Sequence, residues 1–232
     1  VMGATIMVNT RNVLLGCIVI LLLSIVGGII NGLSIVKIGM PAFIATLALG
    51  NIFRGTAFTY TMAKTVSGLP KSFTQFSWSK TFGIPNTILL LGIVFVIAYY
   101  LLTFTAYGKR LYAIGDNPKA SKVMGLNVDW ITISAYTICG ICTGISTLIL
   151  TSYMATARPA VAENLSLECI AAVIIGGASV KGGEGKVTGT LIGAFIFAMV
   201  KNGLNLMGLS YFYQLIASGI IIYIAAAVDR MR

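Results

Sequence analysis

The chain has 232 residues, of which 57% are hydrophobic and only 9% charged, and its mean hydropathy is +0.95. Such a composition excludes a soluble globule and marks a polytopic helical membrane protein. The net charge of +10 is no nucleic-acid footprint, because no aromatic-rich soluble patch accompanies the basic residues, and loops between spans collect Lys and Arg.

Seven apolar runs follow one another along the chain: residues 12–36, 38–62, 85–108, 130–157, a short one near 165–180, 187–207 and 211–228. They predict an all-α fold, a polytopic transmembrane helical bundle in a single domain over 1–232. The last two runs are interrupted only by Lys201, so they are divided at Met207-Gly208-Leu209-Ser210, where a turn is easy. Residues 63–84 are polar, with Gly68-Leu69-Pro70 and aromatic rings near Trp78, as expected of an outer loop with interfacial rings.

Between the third and fourth runs lies a polar island, residues 109–129. It separates two stretches, 81–108 and 130–157, that carry no Asp, Glu, Lys or Arg. Each is long enough to cross a hydrocarbon core of about 30 Å. Inside the island, Asn117 suits an N-cap, Pro118 the first helical position and Gly125 the left-handed residue that ends a helix. Residues 118–124 then make about two turns, roughly 10 Å. Ala120, Val123 and Met124 share one face. A short capped helix with an apolar face, outside the membrane, is built to press into another protein.

Placing the island in the cytoplasm fixes the rest by alternation. Lys37, Lys109, Arg110, Lys119, Lys122, Lys181, Lys186, Arg230 and Arg232 then lie inside the cell, and Arg11, Lys64, Lys71, Lys80 and Arg158 outside. Nine against five is the bias expected of this orientation. Arg54 and Lys201 remain within spans. Val1 then lies outside, with neither Met nor signal peptide before it. The expectation is a C-terminal fragment of a longer membrane protein.

Residues 158–189 are unusual. Pro159, Glu163, Glu168 and the tail Gly176-Gly177-Ala178-Ser179-Val180-Lys181-Gly182-Gly183-Glu184-Gly185-Lys186 leave only residues 169–180 free of charge. That is too short for an untilted span, so a broken or re-entrant helix is expected, of the kind that borders a transport path. The tail is not a phosphate-cradling loop. Val180 stands where its first Gly belongs, and Val187 where Ser or Thr belongs.

Other chemistry has little to work with. There is no His and there are six carboxylates, so no catalytic residue and no metal site is expected. Cys139 and Cys142 spell Cys-x-x-Cys but lie in an apolar run, as do Cys17 and Cys169, and are read as packing residues. The Gly-x-x-x-Gly pairs Gly28/Gly32, Gly140/Gly144 and Gly189/Gly193 permit close helix approach. Polar groups inside spans tend to face a cavity or a neighbouring helix. Candidates for a path are Asn31, Thr46, Asn51, Glu168, Asn202 and Asn205. Asn202 and Asn205 share one face, suited to a passing polyol. Interhelical hydrogen bonding is the alternative for each. Arg54 and Lys201 can pair with Glu168 or snorkel to an interface.

The run Tyr112-Ala113-Ile114-Gly115-Asp116-Asn117-Pro118-Lys119-Ala120-Ser121, closed by Gly125-Leu126-Asn127-Val128, resembles the cytoplasmic loop of ribose-type ATP-binding-cassette (ABC) sugar permeases. Further matching motifs are residues 170–179, Gly182-Gly183-x-Gly185, Gly189 to Ala194, Asn202 to Gly208, Ile30-Asn31-Gly32, residues 41–47 and Arg54-Gly55. The resemblance covers roughly 26–230. It implies a coupling helix that docks in a groove of a separate ATPase subunit, with Gly115, Asn117, Pro118, Ala120 and Gly125 as coupling residues. On that helix Val123 and Met124 add apolar burial, and Lys119 and Lys122 would meet carboxylates. It further implies an extracytoplasmic sugar-binding protein, a second permease protomer, the bacterial plasma (inner) membrane with its lipid, and a monosaccharide cargo. This chain itself is expected to hold no cofactor, since ATP and Mg belong to the partner subunit. It is read as no enzyme, and no nucleic acid is expected as a partner. A non-sugar solute, or an ion-coupled secondary transporter, is the alternative; the latter should show mid-membrane carboxylates and related halves, and Glu168 is the one candidate.

The chain departs from the family pattern in three places. Lys119-Ala120-Ser121 stands where Glu-Ala-Ala is usual, Asn164-Leu165-Ser166-Leu167-Glu168 where Gly-Tyr-Glu-Leu-Asp is common, and Ala157-Arg158-Pro159 where Ala-Gln-Pro is typical. The last two fall near the outer end of the path, where they bear on the identity of the solute.

Overall fold

The structure, a computed structural model, describes residues 1–162 and 164–231, and side chains are not described at Ala226 or residues 228–231. Glu163, Arg232 and the Arg230 side chain therefore lie outside the described residues. The described residues form eleven helices and one two-stranded hairpin. They fall into two compact units, residues 1–94 with 127–161, and 95–126 with 162–232.

The first unit holds α1 (Met2–Thr10), α2 (Val13–Lys37), α3 (Ala42–Thr61), α4 (Lys71–Trp78), β1 (Lys80–Thr81), β2 (Ile84–Pro85), the start of α5 (Asn86–Phe104) and α8 (Val128–Met154). Its main seam joins α2 to α8. Glycines make that seam possible. A methyl on Gly140 would lie 2.5 Å from the Ser24 carbonyl oxygen, and one on Gly32 would lie 2.9 Å from Ile133 Cα. Two of the three Gly-x-x-x-Gly pairs are thus used against each other inside one chain.

One end of this unit is braced by α1, for which the sequence reading predicted no element, and by residues 66–78, which it left as loop. Met7 of α1, Ile20 of α2, Leu69, Phe73 of α4 and Ala157 form one apolar cluster. Val66 and Ala157 exchange two backbone hydrogen bonds of 2.9 Å. Ser152 Oγ donates to the Phe73 carbonyl at 2.7 Å and accepts from the Ser77 N–H at 3.3 Å. Residues 71–78 form a helix because Phe73 and Ser77, four apart, both turn inward. Trp78, 65% exposed, stacks on Tyr153 with ring centroids 5.1 Å apart.

The second unit holds the rest of α5, α6 (Ala106–Asp116), α7 (Pro118–Val123), α9 (Leu165–Ile175), α10 (Val187–Leu206) and α11 (Tyr211–Met231). Ala171, Ala172 and Phe197 are its buried core, with Ile221 and Ile222 of α11 packed on them. The third glycine pair works here: Gly189 and Gly193 of α10 meet the Gly176 and Ala172 carbonyls of α9.

The expected span 85–108 is shorter than predicted. α5 ends at Phe104, and a new helix starts after Thr105, whose Oγ1 accepts from the Gly108 N–H at 3.3 Å and donates to the Leu101 carbonyl at 2.5 Å. The polar island therefore contains two helices rather than one. The expected interruption near 165–180 takes the form of α9, 11 residues ending at Ile175 with Gly176 as C-cap, roughly 16 Å long at 1.5 Å per residue. Among the described residues α2, α5, α8 and α10 are long and apolar enough to cross a membrane. The chain is an all-α, multi-pass membrane protein.

Candidate coupling site and membrane path

The short helix of the island forms where its caps place it. The Ala120 N–H donates to Asn117 Oδ1 at 3.0 Å, and Pro118 takes the first helical position. The helix ends one residue earlier than expected: Met124 is its C-cap and Gly125 follows at φ +82. Ser121 anchors the opposite side. It is 1% exposed, and its Oγ donates to the Ala113 carbonyl of α6 at 3.0 Å. With Ser121 turned inward, Ala120 is exposed, Val123 is 89% exposed and Met124 67% exposed, beside exposed Lys119 and Lys122. Asn117 and Pro118 are exposed too, and Gly115 lies half-buried at the end of α6. The helix thus presents apolar and basic side chains outward on a braced support.

The path candidates divide by surroundings. Asn31 Oδ1 is buried and accepts no hydrogen bond from the described residues. An acceptor in that state is costly unless a donor reaches it. Thr46 Oγ1 is satisfied by its own helix, donating to the Ala42 and Phe43 carbonyls at 2.9 and 3.1 Å. Asn51, Asn202 and Asn205 are exposed. Glu168 meets Lys201 at 2.6 Å, joining α9 to α10. Of the two cations considered for that carboxylate, Lys201 is the one that pairs. The Arg54 guanidinium instead lies 5.9 Å from the centre of the Phe58 ring. Within the second unit the structure joins Glu168 to Lys201. Cys139 and Cys142 are free thiols, and the described residues hold no cluster of metal-ligating side chains.

Residues 1–226 match the family described as branched-chain amino acid transport system / permease component. The chain is 42% identical to the ribose import permease of Bacillus subtilis over 204 residues, 87% of this chain and 63% of that protein. It is 36% identical to the ribose import permease of Escherichia coli over 209 residues, 88% of this chain and 65% of that protein. A D-allose transport system permease of Escherichia coli is 32% identical over 204 residues, 88% of this chain and 63% of that one. The chain therefore spans less than two thirds of the length of these relatives. No solved structure matches it. The family match runs across both units, from α1 into α11, and the chain belongs to the permease component family of branched-chain amino acid transport systems.

Proposed function

We propose that this chain is the membrane-spanning part of an ABC importer permease that carries a monosaccharide, a ribose-like pentose, a hexose or a related polyol. The observation that carries the reading is the braced, capped α7 with Ala120, Val123 and Met124 facing outward. A separate ATPase subunit receives that face in a groove, and its ATP and Mg supply the energy. Lys119 and Lys122 meet carboxylates at the rim of the groove, while Asn117, Pro118 and Gly125 hold the helix in shape. An extracytoplasmic sugar-binding protein delivers the solute, and two protomers enclose the path in the bacterial plasma membrane. Sugar hydroxyls are donors of the kind that the buried Asn31 Oδ1 lacks, and Asn202 and Asn205 offer further amides one turn apart.

Substituting Ala120→Glu in the full-length permease, reconstituted with its ATPase subunit, tests the docking face. A carboxylate buried against the groove costs more than the apolar contact it replaces. The expected result is loss of solute-driven ATP hydrolysis and of uptake in a permease that still accumulates in the membrane. Full uptake by Ala120→Glu sinks the proposal. The family description favours a second reading, a branched-chain amino acid as cargo; stimulation by an amino acid and by no sugar would establish it.

A further inference from the structure

The glycine-rich loop between α9 and α10 is not a slack linker. Its backbone closes on itself: the Ser179 N–H donates to the Glu184 carbonyl at 3.1 Å and the Gly182 N–H to the Ser179 carbonyl at 3.2 Å. The Lys181 N–H donates to Ser179 Oγ at 3.2 Å. Gly182 (φ +98) and Gly183 (φ +77) take the tip through left-handed backbone that a side chain would strain.

That tip rests on the elbow where α6 ends and α7 begins. A methyl on Gly115 would lie 2.6 Å from the Gly183 nitrogen, and one on Gly182 would lie 2.5 Å from the Gly115 carbonyl oxygen. A methyl on Gly183 would lie 2.8 Å from Asp116 Cβ. These are backbone atoms and the Asp116 Cβ, none of them the far end of a side chain that could bend aside. The base of the loop is equally tight, because Gly176 and Gly189 sit carbonyl against glycine where α9 leaves and α10 returns. Farther along the same two helices stands the Glu168–Lys201 pair.

We propose that Gly182 and Gly183 are positioning residues of the transport cycle, seating the loop on the α6–α7 elbow so that displacement of α7 is passed to α9, α10 and their ion pair. Close-packed contacts carry displacement because they have little room to compress. The chain of contacts from α7 to Glu168 is contiguous, as such a transfer requires. The inference rests on the reading of α7 as the face that meets the ATPase.

The test is Gly183→Ala in the full-length permease, reconstituted with its ATPase subunit. ATPase binding and basal hydrolysis are expected to survive, while solute uptake per ATP hydrolysed falls about five- to 150-fold, the range of a typical coupling energy. Gly208→Ala is the strain control: Gly208 has φ +71, yet nothing stands within 4 Å of an added methyl. Its uptake per ATP should match the unaltered protein. Wild-type uptake per ATP in Gly183→Ala, with the ATPase bound, overturns this inference and leaves the permease reading standing. Failure of the unaltered permease to bind any ATPase overturns both. Should Gly183→Ala not accumulate, spin labels at Arg110 and Lys181, both exposed, decide the matter without it. Their separation should stay the same with and without ATP, and a change approaching one helical turn, about 5 Å, overturns the proposal.

Discussion

Glu168 and Lys201 stand 33 positions apart, on α9 and α10, and meet at 2.6 Å with Lys201 47% and Glu168 22% exposed. In an apolar span a lone charge is costly, and removing one partner leaves the other uncompensated. Glu168→Gln and Lys201→Met should therefore each destabilise the permease more than the double variant does. The cycle should show a coupling of about 0.5–3 kcal/mol, read by reversible denaturation in bilayer-like micelles. Additive single effects would remove the pair from any account of how α9 is held. The sequence narrowed this residue's partner to Arg54 or Lys201 but could not choose, because the choice depends on which helices pack side by side. Asn117 and Pro118 were legible without the structure, since capping is decided within four residues. The elbow contact between Gly115 and Gly183 was not, because glycine advertises a close approach without naming its partner.

Helices joined by glycine seams form this protein's stable pieces, and the α2–α8 seam is the clearest case. The added methyl of a side chain at Gly140 would collide with the backbone at Ser24, whereas Gly92 of α5 has nothing within 4 Å of its own. Gly140→Val should cost about 1–3 kcal/mol by overpacking, while Gly92→Val should cost far less. Thermal melting of the two variants in one detergent makes the comparison, and equal loss at both positions would mean that the seam is not what sets stability. All three Gly-x-x-x-Gly pairs are used within the chain, which leaves none of them open to a second chain. Most spans were legible because uninterrupted apolar runs of that length have few alternatives. Three helices were missed: α1, in a stretch to which the sequence reading assigned no element, and two more for local reasons. In α6 the charges Lys109 and Arg110 hid a helix that Thr105, a good N-cap, announced. In α4 the polar composition of residues 71–78 hid the inward spacing of Phe73 and Ser77.

Across the whole molecule, the apolar side chains that face away from the packed units define what surrounds it. α5 buries none of its residues, and Ile88, Leu91, Val96 and Ile97 are all more than half exposed. In water such a surface would aggregate; in lipid it costs nothing. Under the proposed function, a solute crosses between polar surfaces and few groups set its identity. Relatives named for ribose and for D-allose are 42% and 32% identical to this chain, so family membership alone does not choose a cargo. Under the proposed function, Asn31 is one position to test for that choice, and the segment Asn164-Leu165-Ser166, where the chain departs from the family pattern, is another. Asn164 Nδ2 donates there to the Tyr211 hydroxyl at 3.2 Å, tying the start of α9 to the start of α11. Titrating the reconstituted permease and its ATPase with binding protein carrying ribose, allose, fructose or leucine, in turn, reads that choice directly. One sugar should stimulate hydrolysis well above the rest, and Asn31→Leu should lower the stimulated rate without changing the basal one, since it removes a buried acceptor to which no described residue donates. Equal stimulation by every cargo would place selectivity in the binding protein. An undiminished response in Asn31→Leu would take that residue off the path.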